Sequence, residues 1–333
     1  MVVDKKVLVI SQKNEPSTDE VLKYLIYWNV PFVRINDDDI VQPVEIVFDE
    51  QQKEIVELNF EKESLRLGKV RSVWYRRGRL RLFADNLELL GNDVNSIVLK
   101  QYYQNSYRRE VEKVENYLYD RLKDVKHINN YSDNELSKLS QLKVAVKCSL
   151  KIPRTIVSND AKGIVSFFGG QKFLYKAMNF NVFNIYSQGA RWSCGADSSI
   201  LVSPTDLLER KSFLLSMFQE YIEKKFEIRS FYLYGKFFSM AIFSQQNEIA
   251  KVDWRDETPA NPNRVSVFKL PVEMEKKLTE LMKELNLNSG SLDLIYTPSG
   301  NFVFLEVNPI GQFDWMNRLC NFFIEKHIAN ELR

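Results

Sequence analysis

The sequence predicts an α/β (α+β) protein built in more than one part, and three observations carry that expectation. Residues 5–35 read as strand, helix, strand, the opening of a parallel pair. Residues 291–309 read instead as an antiparallel hairpin, two apolar runs joined by Thr297-Pro298-Ser299-Gly300. The length of 333 residues, 44% of them apolar and 13% aromatic, exceeds one ordinary core and points to two or three subdomains.

Taken in order, residues 5–12 form a short buried-strand pattern. A helix follows, with Ser17 or Thr18 as its cap, Glu20 nearby, and Val21, Leu22, Leu25 and Ile26 as apolar positions. Residues 30–35 are the next strand. Residues 44–48 and 55–60 pair as a hairpin around Gln51-Gln52-Lys53, and 70–77 is another strand. From 86 to about 125 the pattern is helical, charge-laced and free of proline. His127-Ile128-Asn129-Asn130 marks a boundary. Residues 133–149 then form a helix whose Leu136, Leu139, Leu142, Val146 and Leu150 define an apolar face.

Residues 152–157 are extended, and a short helix leads to a Gly169-Gly170 turn. A strand at 173–178 bears Lys176. The stretch 187–199 is small, polar and glycine-containing, which predicts a mobile loop around Gly189 and Gly195. Strands follow at 218–222, 226–233 and 236–243, the last two joined at Tyr234-Gly235. A helix at 272–287 precedes the hairpin, and a C-terminal helix runs through Phe322, Phe323 and Ile328.

Composition excludes several classes. Lys and Arg total 46 against 44 acidic residues, a net charge of +2, so the chain is not built around a nucleic acid. No apolar run reaches membrane-spanning length, and Asp4, Lys5 and Lys6 break any signal-peptide pattern, so no membrane partner is expected. Cys148, Cys194 and Cys320 are scattered and odd in number, which fits a reducing cytoplasm. The two histidines, His127 and His327, lack metal-ligand spacing, and no nucleophile elbow, P-loop or Gly-x-Gly-x-x-Gly occurs.

The chemistry concentrates in the C-terminal hairpin. Glu306 and Asn308 are two apart on one strand, so a period of two sets them on one face, with Leu305 and Val307 on the other. The hairpin folds Asp293 back towards that pair. Such a cluster of hard oxygens with room for phosphates suits Mg²⁺, although an acidic solvent face on an edge hairpin has the same pattern. Lys176 in an apolar strand is either a phosphate ligand or an edge gatekeeper. Glu227 and Arg229 are either cleft residues or an exposed ion-paired face. Trp74 is either part of a recognition motif or a core aromatic, with Arg76 and Arg77 as a solvated edge.

An Asp on one strand followed by Glu306-Val307-Asn308-Pro309 on the next resembles the ATP-grasp signature, and with it the other motifs fall into place. The resemblance implies an ATP-grasp fold behind an N-terminal pre-ATP-grasp α/β domain, with parts at 1–125, 126–215 and 216–333. It implies that Asp293, Glu306 and Asn308 hold Mg²⁺ at the ATP phosphates and that Lys176 reaches the α- and β-phosphates. Lys138 matches the family's earlier lysine. Gln219-Glu220-Tyr221-Ile222 resembles the hinge that grips adenine, through Glu220 and the Ile222 backbone, and Glu227 matches the ribose contact. Arg229 and Arg255 would point into the cleft as catalytic cations, since arginine offers a fixed fork to phosphate and carboxylate.

Two runs narrow the resemblance. Trp74-Tyr75-Arg76-Arg77-Gly78 and Asn308-Pro309-Ile310-Gly311-Gln312-Phe313, with Cys320-Asn321 and Glu325-Lys326 after it, are similar to the graspetide (microviridin-type) peptide ligases, in particular the grasp-with-spasm branch. Asp314-Trp315 departs from the small residues expected next. That resemblance implies that Glu or Asp side chains of a ribosomal precursor peptide are activated as acyl phosphates. Thr or Ser hydroxyls, or Lys amines, of the same peptide then displace phosphate to close ω-ester or ω-amide rings. An ATP-driven ligase of this kind needs no protein nucleophile. The implied partners are the precursor peptide, leader plus core, and a radical SAM/SPASM protein, with a homodimer in the cytoplasm. The rival readings are a RimK-like glutamate ligase and a peptide-binding module without catalysis.

Overall fold

The run Val7-Leu8-Val9-Ile10 is buried throughout, as expected of an inner parallel strand covered on both faces. The structure, a computed structural model, describes residues 5–60, 63–82, 94–133, 136–178, 182–187, 190–195 and 199–333. It divides into two units, one of Met1–Asn134 with Gln312–Asn317 and Phe322–Arg333, the other of Glu135–Gly311 with Arg318–Asn321.

In the first unit, β1 (Lys6–Ser11) is followed by α1 (Pro16–Tyr27) and β2 (Phe32–Asn36). The cap of α1 is Glu15 and not Ser17 or Thr18, because Pro16 takes the first helical position, where its missing N–H costs nothing. Glu15 accepts from the Thr18 backbone N–H at 3.1 Å, and Ile26 stays exposed. Strands β3 (Val41–Phe48), β4 (Glu54–Phe60) and β5 (Glu63–Arg66) make a separate antiparallel sheet. The third strand has no sequence signature, since it buries Leu65 alone.

Then come β6 (Val70–Tyr75), α2 (Val94–Leu122) and β7 (Lys126–Ile128). The expected helix at 86–125 is α2 from residue 94 onwards; 86–93 lie outside the described residues. The four-stranded sheet runs β2-β1-β6-β7, parallel at every pairing. Trp74 is core, and Arg76 is no solvated edge. It is 3% exposed, with its guanidinium 3.0 Å from Glu15 and 2.7 Å from the Gln312 side chain. Burial pulls the Arg76 pKa down to about 10, with Glu15 opposing. The Glu15 carboxyl is lowered: burial pushes it up, but Arg76, Ser17 and Thr18 outweigh that.

In the second unit the elements are α3 (Lys138–Lys147), β8 (Thr155–Ser158), α4 (Ala161–Phe167), β9 (Phe173–Lys176), β10 (Val182–Ser187), β11 (Ala190–Gly195), β12 (Ile200–Val202), α5 (Pro204–Leu208) and β13 (Ser216–Glu220). The antiparallel sheet β12-β9-β13-β8 packs on Ile164, Phe168, Phe173, Leu207 and Phe218. Two expectations change here. Within the loop expected at 187–199, residues 190–195 are strand β11, antiparallel to β10, in which Ile185 pairs with Trp192 and Phe183 with Cys194 in register; the small residues conceal the alternation. Gly189 lies outside the described residues. Helix α3 starts at Lys138, and its face divides: Leu142 and Ala145 are buried while Leu139 and Val146, seven apart along the neighbouring flank, are exposed.

The chain continues through β14 (Phe226–Leu233), β15 (Lys236–Phe243), β16 (Arg264–Phe268), α6 (Val272–Glu284), β17 (Ser289–Tyr296) and β18 (Phe302–Asn308). These strands form one antiparallel sheet, β16-β15-β14-β17-β18. Tyr234 and Gly235, at φ 45° and 85°, make the two-residue turn of the β14–β15 hairpin. Alternation on β14 sends Phe226, Ile228 and Tyr232 into a core with α3 and α6, which leaves Glu227 and Arg229 for the other face.

The expected single C-terminal helix is two, α7 (Asp314–Cys320) and α8 (Ile324–Leu332), because Asn321 and Phe323 take left-handed backbone at φ 54°. Helix α8 buries Ile324, Ile328 and Leu332 in the first unit. Among the described residues no helix is long and apolar enough to cross a membrane.

Candidate functional site

The site begins with an irregularity in the β17–β18 ladder. Asp293 pairs with Glu306, but Leu294 pairs with Phe304, so Leu305 is an extra residue in a β-bulge. Phe304 and Val307 enter the core, whereas Leu305 and Glu306 both line a cleft. The expected placing of Leu305 on the far face is therefore corrected: a period of two fails across a bulge. The cleft is open to solvent on one side, and its lining is charged at one end and apolar at the other.

Its lining brings together Lys138, Lys176, Glu220, Tyr221, Ile222, Glu227, Arg255, Asp293 and Glu306. Arg229 does not line the cleft itself but donates to Asp293 at 2.7 Å. Asn308 is exposed at the end of β18, and its side-chain oxygen accepts from the Ile310 N–H at 3.1 Å. Lys176 is no edge gatekeeper, because β9 lies between β12 and β13. Nor are Glu227 and Arg229 an exposed face, since both are buried.

Cations and carboxylates are matched around the cleft. Lys138 sits 2.9 Å from Glu306. Burial acts to push the Glu306 carboxyl up, but Lys138, then Lys176 and Arg255, hold it below its ordinary range. Burial pushes the Asp293 carboxyl up against the pull of Arg229, and the charge of Glu306 adds to the rise. Burial likewise pushes the Lys176 ammonium down, with Glu306 and Asp253 opposing. Among the described residues no three His, Cys, Asp or Glu side chains stand close enough to hold a metal. Two partly buried carboxylates opposite each other, with Asn308 two residues on, nonetheless fit Mg²⁺, which takes few protein oxygens and completes its shell with phosphate and water.

At the other end, Glu220 accepts from Arg154 at its backbone N–H (3.1 Å) and its Nε (2.8 Å). A base amine approaching Glu220 would share that carboxylate with Arg154. Leu174, Met217, Ile222, Leu294 and Leu305 supply apolar lining. Glu227 is bonded to Lys224, and to the Ser244 hydroxyl at 2.6 Å. Burial raises its pKa, with Lys224 and Ser244 working the other way.

Sequence reasoning missed Leu305, Lys224, Ser199 and Asp253. Asp253 binds Arg255 with both oxygens, at 2.9 and 2.6 Å. It also accepts from the backbone and hydroxyl of Ser199, which in turn receives a hydrogen bond from Lys176. Burial works to raise the Asp253 carboxyl, but the Arg255 and Ser199 bonds hold it well below the usual carboxylate range.

Residues 6–135 match the family described as the MvdD pre-ATP grasp domain. The chain is similar to a Chryseobacterium gregarium RiPP-associated ATP-grasp ligase, solved with ADP and a leader and core peptide. That match has a TM-score of 0.79 and 25% identity, covering 98% of this chain and 96% of that one. It is similar also to the macrocyclase MdnC of Microcystis aeruginosa MRC, bound with precursor peptide MdnA, with TM-score 0.72 and 25% identity over 98% and 99% of the two chains. The ATP-grasp ligase PsnB, solved with minimal precursor, Mg and ADP, shares the fold at TM-score 0.71 and 15% identity over 100% and 97%. No curated protein gives a significant match. The chain has the ATP-grasp fold, with a pre-ATP-grasp domain at its N-terminal end.

Proposed function

We propose that this chain is an ATP-dependent ligase that forms links within a ribosomally made precursor peptide. The observation that carries the reading is one cleft lined by Lys138, Lys176, Arg255, Asp293 and Glu306, in a chain similar over nearly its whole length to a ligase solved with ADP and a leader and core peptide and to a macrocyclase bound with its precursor peptide. In this reading the 220–222 segment and the apolar lining receive the adenine, and Glu227 receives the ribose. Lys138 and Lys176 bind phosphate oxygens. Asp293, Glu306 and Asn308 would hold Mg²⁺, which when bound neutralises charge on the phosphates.

A peptide Glu or Asp carboxylate attacks the γ-phosphorus, the bond to the β-phosphate oxygen breaks, and ADP leaves an acyl phosphate. A Thr or Ser hydroxyl, or a Lys amine, of the same peptide then attacks the acyl carbon, and phosphate departs with an ester or amide formed. Arg255 orients the phosphoryl group and offsets its charge, while Arg229, behind the lining, holds Asp293 in place. A leader segment docks away from the chemistry and raises the effective concentration of the core. The Trp74–Gly78 and Asn308–Phe313 runs support placing the chain in the grasp-with-spasm branch, a cytoplasmic homodimer working beside a radical SAM/SPASM protein.

The test is mass. With ATP, Mg²⁺ and the peptide encoded beside it, the product becomes lighter by one water for each link. Links cleaved by mild base are esters, and resistant ones are amides. A mass gain that requires free glutamate would overturn this reading in favour of a RimK-like ligase.

A further inference from the structure

Asp253 is only 5% exposed and spends both oxygens on the cleft. Its Oδ1 accepts from the Arg255 backbone N–H (3.1 Å) and Nε (2.9 Å). Its Oδ2 accepts from Arg255 Nη2 (2.6 Å), the Ser199 N–H (3.0 Å) and the Ser199 hydroxyl (3.1 Å). A hydroxyl has one proton to donate. With that proton on Asp253, the Ser199 oxygen is left as an acceptor, and Lys176 donates to it.

We propose that Asp253 is a positioning residue that sets two cations of the cleft at once, Arg255 directly and Lys176 through Ser199. The inference rests on the nucleotide-binding reading of the cleft for its purpose, though not for its geometry. Lys176 and Arg255 come from separate elements, β9 and the turn at Trp254–Asp256, and a lysine on a four-carbon stem has no orientation of its own. One buried carboxylate gives both a common reference. The cationic end of the cleft is thereby arranged before a polyanionic ligand arrives, and little reorganisation is left for the moment of binding.

Two readouts test it. The first needs no nucleotide: acetylation of Lys176 by an amine-reactive ester, followed by mass spectrometry of the derived peptide. Ser199→Ala should speed labelling at least threefold, Asp253→Asn likewise, and Ser199→Thr, which keeps the hydroxyl, should restore the slow rate. The second is ADP affinity. Asp253→Asn should weaken it about tenfold and Ser199→Ala about threefold, and Ser199→Ala should cost nothing more in a Lys176→Met background. Melting temperatures verify folding, and Ser199→Ala alone decides if Asp253→Asn does not fold. Unchanged Lys176 labelling in Ser199→Ala overturns the proposal, as does an ADP cost of Ser199→Ala that is equal with and without Lys176. If the wild-type protein binds no ADP, the ligase reading falls while the labelling result still decides the positioning role.

Discussion

Asp293 and Glu306 face each other across the β17–β18 ladder, yet each is held by a cation from a different element. Arg229 of β14 sits 2.7 Å from Asp293, and Lys138 of α3 sits 2.9 Å from Glu306. Two like charges in register are tolerable only with such neighbours. A divalent cation between them would serve the same end.

Replacing Glu306 or Asn308 by Ala should therefore leave a folded protein with ATP turnover lowered by about 10²-fold or more. Steady-state phosphate release alongside thermal melting measures both. Normal turnover in the two variants, with melting unchanged, would remove the metal role.

The bulge gives Leu305 a place in the cleft. Leu305→Ala should weaken nucleotide binding by roughly 5- to 10-fold through lost apolar contact, about 1–1.5 kcal/mol. Stability should change little, because the side chain is only half-buried. Titration with ADP decides; equal affinity returns Leu305 to a structural role.

In the first unit, Arg76 and Glu15 are a buried pair, 3% and 4% exposed. Removing one partner strands the other charge, so Glu15→Ala should cost about 3–5 kcal/mol in urea unfolding. The double variant Glu15→Gln, Arg76→Met should recover part of that loss. A cost below about 1 kcal/mol for Glu15→Ala would show that the pair is not buried in solution.

Asp253 makes a prediction about pH. Its pKa is lower folded than unfolded, so it contributes stability above the unfolded value, about 3.9, and that stability is lost as pH falls through it towards the folded value. Wild type should exceed Asp253→Asn in stability at pH 7, and the gap should narrow by about 1 kcal/mol on descending from pH 5 to pH 3. A gap independent of pH would show that the carboxylate gains nothing from its partners.

Local chemistry made much of this legible. The run at Val7–Ile10, the Tyr234-Gly235 turn and the Asp293–Glu306 hairpin each declare themselves within a few residues, by period and turn type. What stays hidden depends on partners distant in sequence. The bulge at Leu305 exists only in the pairing of two strands. Ser199 meets Asp253 across 54 positions, and a serine in a small, polar stretch gives no sign of it. The pairing of β10 with β11 is masked by glycine and serine, although Ile185 stands opposite Trp192. Leu139 and Leu142 look alike until the sheet under α3 chooses between them.

The first unit is completed by residues made only after Glu135–Gly311 has been synthesised. Ile324, Ile328 and Leu332 are buried in it, while the whole of Glu135–Gly311 belongs elsewhere. Synthesis runs at about 5–20 residues per second, so β1 and its parallel neighbours wait on the order of ten seconds or more for their last helix. Nascent chains should therefore bury the second unit first. Deleting Phe322–Arg333, or fusing a rigid partner against α8, should harm the N-terminal sheet and spare the cleft.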